Sequence, residues 1–352
     1  MKRSRLSWAA AITMAVAAIL VSSAPAHAGV TGDVYLNVRY TDGTWQGYET
    51  LTQPPGGCCL NIAAAEAESD DTHIDVITGT GLWDGSLEAG NNWSGWTQPP
   101  QPPGSFSALG TNPLAEVSDD GGGIWIFART SSGLYVNYIN ASGEWDSWNS
   151  VAMPSGVSAV GASDIALGYT QVGSENGTSP ELQVMLDNNG ILWHQVYSFN
   201  TGTWSGWAKP SQVPGDAEAI AAAGDTSDNV QFIATTYSGV VYHDIRYANG
   251  SWQGWAKPPQ PTYPPPAGTV PLAGGISAAV DGGGLAEFTL APAQYPQSPS
   301  SFLHSVRNAN GSWQSSWMAP PGTLPSGCQG IRLAVAADTV TPGFPFYFAT
   351  YC

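Results

Sequence analysis

The chain has 352 residues, of which only 11% are charged, with 42 glycines, 27 prolines and a formal net charge of −17. A chain this acidic repels phosphate backbones and anionic lipid surfaces, so its composition argues against nucleic-acid and membrane-surface partners. Few charges beside many turn formers fit a turn-rich all-β protein.

Met1 to Ala28 has the form of a secretory leader: Lys2, Arg3 and Arg5, an apolar run from Trp8 to Val21, then Ala26-His27-Ala28 as a cleavage site. The run is short for a membrane span, and no second apolar stretch of spanning length follows. The expectation is a secreted, extracellular product, with residues 29–352 as a single domain. Removing the leader takes away three basic residues and no acid, which makes the remainder more acidic still.

The next signal repeats. A W-x-x-W motif is anchored at Trp45, Trp93, Trp145, Trp204, Trp252 and Trp313, at intervals of 48 to 61 residues. Its second aromatics are Tyr48, Trp96, Trp148, Trp207, Trp255 and, one residue late, Trp317. Such a period with several short strands per unit indicates a propeller blade. The fullest copy is Val240–Lys257. There a β-branched and aromatic strand reaches Tyr247, Asn249-Gly250 supplies a hairpin turn, the two indoles follow, and Lys257-Pro258-Pro259 ends the return strand.

Upstream of each hairpin lie two further strands, A and B. Strand A is rich in Ala and Gly, as in Ile62–Ala65, Ser158–Ala162, Ala219–Ala223 and Ile276–Val280; Val230–Ala234 is a strand B. Innermost strands converge on one axis, so small side chains belong there. Proline-rich stretches such as 97–104 and 258–268 recur once per unit and are read as stiff D-to-A connectors. Insertions at 173–180 and 292–300 account for the two longest intervals.

The two ends complete one another. Asp33–Arg39 is a strand C with no A or B before it, while Ile331–Ala337 and Phe346–Thr350 are an A and a B with no C or D after them. The fold class expected is all-β: a six-bladed β-propeller of four-stranded antiparallel blades, the first blade stitched from both termini, which removes the exposed sheet edge. The blades would span 29–57 with 328–352, 58–104, 105–156, 157–215, 216–268 and 269–327. Four cysteines in an exported chain suggest disulfides, with Cys58 or Cys59 bridged to Cys328 or Cys352 across the seam. Neither Cys nor His shows zinc-like spacing, so no metal and no other cofactor is expected.

Catalytic patterns are weak. Ser118–Trp125 matches S-x-D-x-G-x-x-W, the Asp box of six-bladed sialidases, but occurs once and between strands A and B. A sialidase also needs three arginines clustered at the axis. Arg39, Arg246 and Arg307 instead share one repeat position in separate blades, with Arg129 and Arg332 as the remaining arginines after the leader. A paired-carboxylate glycosidase or lyase is the alternative reading, with Asp75 and Glu287 as candidate acids at the strand-B position otherwise held by Trp125, Gln183 and Gln231. No G-x-S-x-G nucleophile motif is present.

An aromatic beside a polar residue recurs on strand C: Trp83-Asp84, Trp193-His194, Tyr242-His243 and, with an aliphatic partner, Leu303-His304; Tyr35-Leu36 and Tyr135-Val136 lack the polar member. Strand neighbours face opposite ways, so grooves between blades would combine a ring with hydrogen-bonding groups, which suits sugars. The expected sugar-binding residues are Trp193, His194, Tyr242, His243, Trp83, Asp84, His304, Gln183 and Gln231. The competing reading is that these rings only pack blade against blade.

The units Leu182–Val196 and Val240–Trp255 resemble blades of the bacterial PLL-type and tectonin (tachylectin-related) propeller lectins, whose repeats carry a similar Leu-Trp-His strand followed by G-x-W-x-x-W. The resemblance extends over six copies, with blades 2 and 3 degenerate. It implies multivalent, non-catalytic binding of glycans, with fucose or methylated sugars as ligands. PLL-type lectins have seven blades, whereas this chain gives six, the number in fungal fucose lectins. Oligomeric state is not legible in the sequence.

Overall fold

β-Branched and aromatic runs separated by Gly-, Asn- and Asp-containing turns close into antiparallel hairpins, and each hairpin buries its faces only by stacking on the next. A computed structural model of the chain describes residues 33–57, 59–67, 71–88, 92–106, 112–159, 164–170, 180–262, 273–292, 302–322, 324, 332–337 and 345–351. Among these residues there are strands and no helix, hence no helix long and apolar enough to cross a membrane. The leader call on residues 1–28 lies outside them. So does the disulfide call on Cys58, Cys59, Cys328 and Cys352, except that the backbone of Cys59 opens a strand.

Blade 1 starts with β1 (Val34–Arg39) and β2 (Glu49–Thr50). Blade 2 holds β3 (Cys59–Ala67), β4 (Asp71–Thr78), β5 (Gly81–Glu88) and β6 (Asn92–Trp93). Blade 3 holds β7 (Leu114–Ser118), β8 (Ile124–Thr130), β9 (Gly133–Ile139) and β10 (Asn149–Val151). Blade 4 holds β11 (Ile165–Thr170), β12 (Glu181–Asn188), β13 (Ile191–Ser198) and β14 (Thr203–Trp204). Blade 5 is β15 (Ala217–Gly224), β16 (Val230–Thr236) and β17 (Val241–Arg246), and blade 6 is β18 (Ala273–Val280), β19 (Ala286–Pro292) and β20 (Leu303–Arg307). In those two blades the outer strand D is reduced to bridges at Trp252 and Ala256, and at Trp313 and Met318. The chain ends with β21 (Arg332–Ala337) and β22 (Phe346–Tyr351).

The seam is as expected. One sheet has the order β2-β1-β22-β21, with Val34 opposite Tyr351 and Arg39 opposite Phe346. The innermost strands β3, β7, β11, β15, β18 and β21 each touch the next, and the last touches the first, so the six sheets form a closed ring. Crowding at the axis is severe: a Cβ added to Gly224 would sit 1.6 Å from the Tyr169 carbonyl oxygen of the neighbouring blade. The axial cavity measures only about 50 Å³, room for a few water molecules.

Where the second aromatic of the motif is an indole, it locks its blade to the one before. The indole N–H groups of Trp148, Trp207, Trp255 and Trp317 donate to the carbonyls of Pro100, Ala152, Ser211 and Pro259, at 2.7, 2.5, 2.8 and 2.6 Å, and Trp96 donates likewise to Thr52. These acceptors lie in the D-to-A connectors, so the connectors are part of the packing. Gln101, Gln212 and Gln260, also in them, accept from the backbone N–H of Leu82, Leu192 and Val241 at the start of strand C.

Three expectations change. Strand A of blade 4 is Ile165–Thr170, not Ser158–Ala162; Ser158 and Ala159 are loop, and residues 160–162 lie outside the described set. The placement is fixed where Ile165 N–H donates to Asn112 O at 3.2 Å and Leu167 packs with Leu182 and Val184. The hairpin after β17 is also longer than a two-residue Asn-Gly turn. Only Gly250 has positive φ, 82°, and Gly250 N–H donates to Tyr247 O while Tyr247 N–H donates to Ser251 O. Thirdly, the Asp-box turn is a repeated cap. Asp119, rather than Asp120 of the matching pattern, accepts from Gly121 and Gly123 N–H and from the Trp125 indole, and Asp225 and Asp281 cap the equivalent A–B turns of blades 5 and 6.

Candidate functional site

Strand C alternates its side chains between the two blade faces, so each groove receives residues from the C strands on both sides. Tyr242, Asp244 and Arg246 of β17 face blade 4, and His243 faces blade 6. Tyr242 accordingly packs with Met185 and Leu192 of blade 4, while Trp313 of blade 6 lies edge-on to His243 with ring centroids 5.1 Å apart. The same contact recurs from Trp252 to His194 at 5.1 Å and from Trp45 to His304 at 5.0 Å. In these three copies the first indole covers the strand-C histidine of the preceding blade.

The histidines are deep. His194, His243 and His304 are 8%, 3% and 1% exposed. His194 Nε2 lies 3.3 Å from Gln183 Oε1 and His243 Nε2 3.2 Å from Gln231 Oε1, with both glutamines fully buried. His304 Nδ1 is bonded to Glu287. Burial, assisted by the nearby Arg246 and Arg307 charges, holds His194 and His243 down to about 3, so both are neutral at any physiological pH.

Above each histidine the groove holds an arginine that the sequence marks only as a shared repeat position. Arg246 reaches Glu181 of blade 4, Nη1 to Oε2 3.1 Å, and Arg39 reaches Glu287 of blade 6 at 3.4 Å. Arg307 occupies the same place between blades 5 and 6. Each pairs across its own hairpin with the first indole, Arg39 with Trp45, Arg246 with Trp252 and Arg307 with Trp313. All six of these side chains are half-buried. Three consecutive grooves, 4/5, 5/6 and 6/1, therefore carry an indole, a guanidinium, a neutral or Glu-paired histidine and a Gln or Glu. Buried polar atoms on their walls lack a protein partner: Gln183 Nε2 and Asp244 Oδ2 in groove 4/5, and Ser305 Oγ in groove 5/6.

The other expected residues sit elsewhere. Trp193 faces blade 3, half-buried, with Lys209 Nζ 4.8 Å above its ring; Lys257 Nζ lies 5.5 Å from the Tyr242 ring. Trp83 is half-buried and donates to Thr80 Oγ1 at 3.1 Å, and Asp84 is held by His73 Nδ1 at 3.0 Å. The strand pairing also corrects one alignment. The blade 2 residue equivalent to Trp125, Gln183, Gln231 and Glu287 is His73, two residues before Asp75.

Asp75 instead stands level with Asp84, where Phe127, Met185 and Ile233 stand in blades 3, 4 and 5. It faces Glu116 of β7, and neither carboxyl has another partner among the described residues. Burial and the mutual charge of Glu116 and Asp84 raise Asp75 well above the carboxylate range, and burial together with Asp84 pushes Glu116 up to about 8. His73 nearby loses basicity to burial, but hydrogen bonding and attraction from Asp84 outweigh this and raise it. An acid pair near the axis does exist, but its oxygens are closed to solvent.

No family model matches the chain and no curated protein matches it. Solved structures do. AofleA from Arthrobotrys oligospora is 15% identical over 84% of this chain and 84% of its own, with a TM-score of 0.54. BP39L lectin from Burkholderia pseudomallei is 17% identical over 87% of this chain and 82% of its own, TM-score 0.52. A mutant of Aleuria aurantia lectin, in complex with alpha-methyl-L-fucoside, is 16% identical over 78% and 84%, TM-score 0.51. At these identities the likeness establishes the fold: this chain shares its β-propeller with proteins that are lectins.

Proposed function

We propose that the protein is a secreted, multivalent, non-catalytic lectin that holds glycans in shallow grooves between blades, with grooves 4/5, 5/6 and 6/1 as the working sites. One observation carries the reading. Beside each indole and guanidinium of grooves 4/5 and 5/6, buried polar atoms are left without a protein partner, and such atoms need a hydroxyl-bearing ligand or water to satisfy them. Trp252, Trp313 and Trp45 supply apolar faces for C–H stacking, and the arginines supply forked donors for sugar oxygens. His194, Gln183 and Tyr242 form the walls of the first groove, His243 and Gln231 part of the second, and His304 part of the third. Trp193, Trp83 and Asp84 belong to grooves without an arginine and are proposed as weaker subsites.

Fucosylated and methylated sugars are the first ligands to test, given the alpha-methyl-L-fucoside held by the Aleuria aurantia lectin mutant. The PLL or tectonin type is part of the same proposal. Several weak sites on one disc gain by avidity on a glycan surface. Export fits the leader and the cysteines, and mass analysis with and without reductant tests their pairing. A glycan array on the purified protein is the direct test: retention on a subset of glycans, displaced by the free sugar, is expected, and retention on none would sink the reading.

A further inference from the structure

The three arginine grooves differ in charge. In groove 6/1 Arg39 faces the Glu287 carboxylate at 3.4 Å, and in groove 4/5 Arg246 faces the Glu181 carboxylate at 3.1 Å. Groove 5/6 keeps the arginine and loses both carboxylates. Gln231 stands at the register of Glu287, and Asn229 at the register of Glu181, two residues before Gln231 as Glu181 is before Gln183. Both amides are turned to Asp225: Asn229 Nδ2 donates to Oδ1 at 3.1 Å and Gln231 Nε2 to Oδ2 at 3.4 Å. Asp225 Oδ1 is further occupied by the backbone N–H groups of Ser227 and Asn229.

Arg307 itself makes no ion pair and no hydrogen bond among the described residues, and its only charged neighbour, Asp225, acts on it from beyond contact. Its guanidinium is tucked under the C–D hairpin, where a Cβ on Gly311 would lie 3.3 Å from Nη2. On the same strand face Ser305 is fully buried with its Oγ unpartnered. Opposite is the neutral His243 of blade 5, which Trp313, on the same hairpin as Arg307, covers edge-to-face. A half-buried cation whose five donors meet no carboxylate in contact is costly unless an anion completes it, and a guanidinium fork matches a carboxylate or sulfate.

We propose that groove 5/6, built on Arg307, Ser305, Gln231, His243 and Trp313, binds the anionic group of an acidic saccharide, a uronic-acid carboxylate or a sulfate ester, while grooves 4/5 and 6/1 take neutral sugars. The ring stacks on Trp313, the anion takes the Arg307 fork, and Ser305 Oγ–H donates to it. In the other two grooves Glu181 and Glu287 repel an anion and leave the arginine only hydroxyls to bind. This assignment rests on the lectin reading and names the ligand class of one of its sites.

The test compares methyl glucuronide and 6-sulfogalactose with methyl glucoside and galactose, by titration calorimetry on the full secreted protein at 50 and 500 mM salt. The expected result is a preference for both acidic sugars of about tenfold or more over their neutral parents, shrinking at high salt. Arg307→Gln should remove the preference, Arg307→Lys should keep part of it, and Gln231→Glu should cancel it by restoring the carboxylate of blade 6. Preference for only one of the two acids narrows the site to that chemistry and supports it. Acidic and neutral sugars bound alike by the wild type, or a preference untouched by Arg307→Gln, would overturn the assignment alone. Inorganic sulfate bound as tightly as 6-sulfogalactose overturns the saccharide part. No binding of any sugar overturns the lectin reading with it.

Discussion

The two halves of the ring solve blade packing differently. In grooves 4/5, 5/6 and 6/1 the strand-C residue of one blade is His194, His243 or His304, and the strand end of the next is Arg246, Arg307 or Arg39. In grooves 1/2, 2/3 and 3/4 the same two places hold Leu36 with Leu87, Asp84 with Ile139, and Val136 with Tyr197, as the hairpin registers show. Histidine and arginine appear together or not at all. Apolar pairs close grooves 1/2 and 3/4 equally well, so packing does not require the polar set. Buried polar groups without full partners are costly, which makes their threefold recurrence evidence of a role beyond packing. The acid pair of groove 2/3 is the opposite case: it occurs once among the described residues, is sealed, and belongs to no repeated site.

That contrast can be broken first where the effect is largest. Replacing Asp75 and Glu116 by the residues at their equivalent places in other blades, Asp75→Met with Glu116→Ala, is expected to stabilise the protein at pH 8 by on the order of a few kcal/mol in chemical denaturation. The sign follows from linkage. Both folded-state pKa values are raised, so between the unfolded carboxyl value and about 8 the native state holds more protons than the unfolded one. This contribution is therefore fully present below about pH 4.3, falls as pH rises through about 8, and is absent above. The double variant should flatten that part of the stability–pH curve; an unchanged slope would place the titrating group elsewhere.

Next in size, Arg246→Ala should weaken glycan binding at groove 4/5 by about tenfold, the worth of one or two charge-assisted hydrogen bonds, while leaving the melting temperature nearly unchanged. A large fall in melting temperature with unchanged binding would make the arginine structural. Trp255→Phe, which removes the donor to Ser211 O together with part of the packed ring, should cost about 1–3 kcal/mol of stability with no change in sugar binding. The smallest expected effect is none: because His194 and His243 stay neutral down to about 3, sugar affinity at groove 4/5 should be flat from pH 5 to pH 8. A drop below pH 6.5 would show that a histidine gains charge in the site.

Architecture was readable because it is written six times. The indole period, the turn residues and the complementary ends each state the ring, and Val34–Arg39 does lie between Glu49–Thr50 and Phe346–Tyr351. The position shared by Arg39, Arg246 and Arg307 was visible too, but its meaning depends on which blade face the side chains take and on partners such as Glu181, 65 residues from Arg246. Asp75 was misplaced by two residues although the B–C turns of blades 2, 3 and 4 are equally long, with Thr78 opposite Gly81, Thr130 opposite Gly133 and Asn188 opposite Ile191: strand B of blade 2 carries no indole to anchor it, and a shift of two keeps a side chain on the same face. Glu116 escaped notice because strand A elsewhere is Ala and Gly, and nothing local announces a carboxyl pair formed between blades. Blade 4's strand A was set six residues early by a run of small residues that imitates the motif.

The central claim is that glycans are held by the three arginine grooves, and one array experiment tests it most directly. Wild-type protein and the triple variant Arg39→Ala, Arg246→Ala, Arg307→Ala, both verified as folded by circular dichroism and thermal melting, are applied to the same glycans. The account expects retention by the wild type and its loss, by a factor of about a hundred or more given the combined loss of avidity, in the triple variant. A folded triple variant that is retained as strongly as the wild type would contradict it.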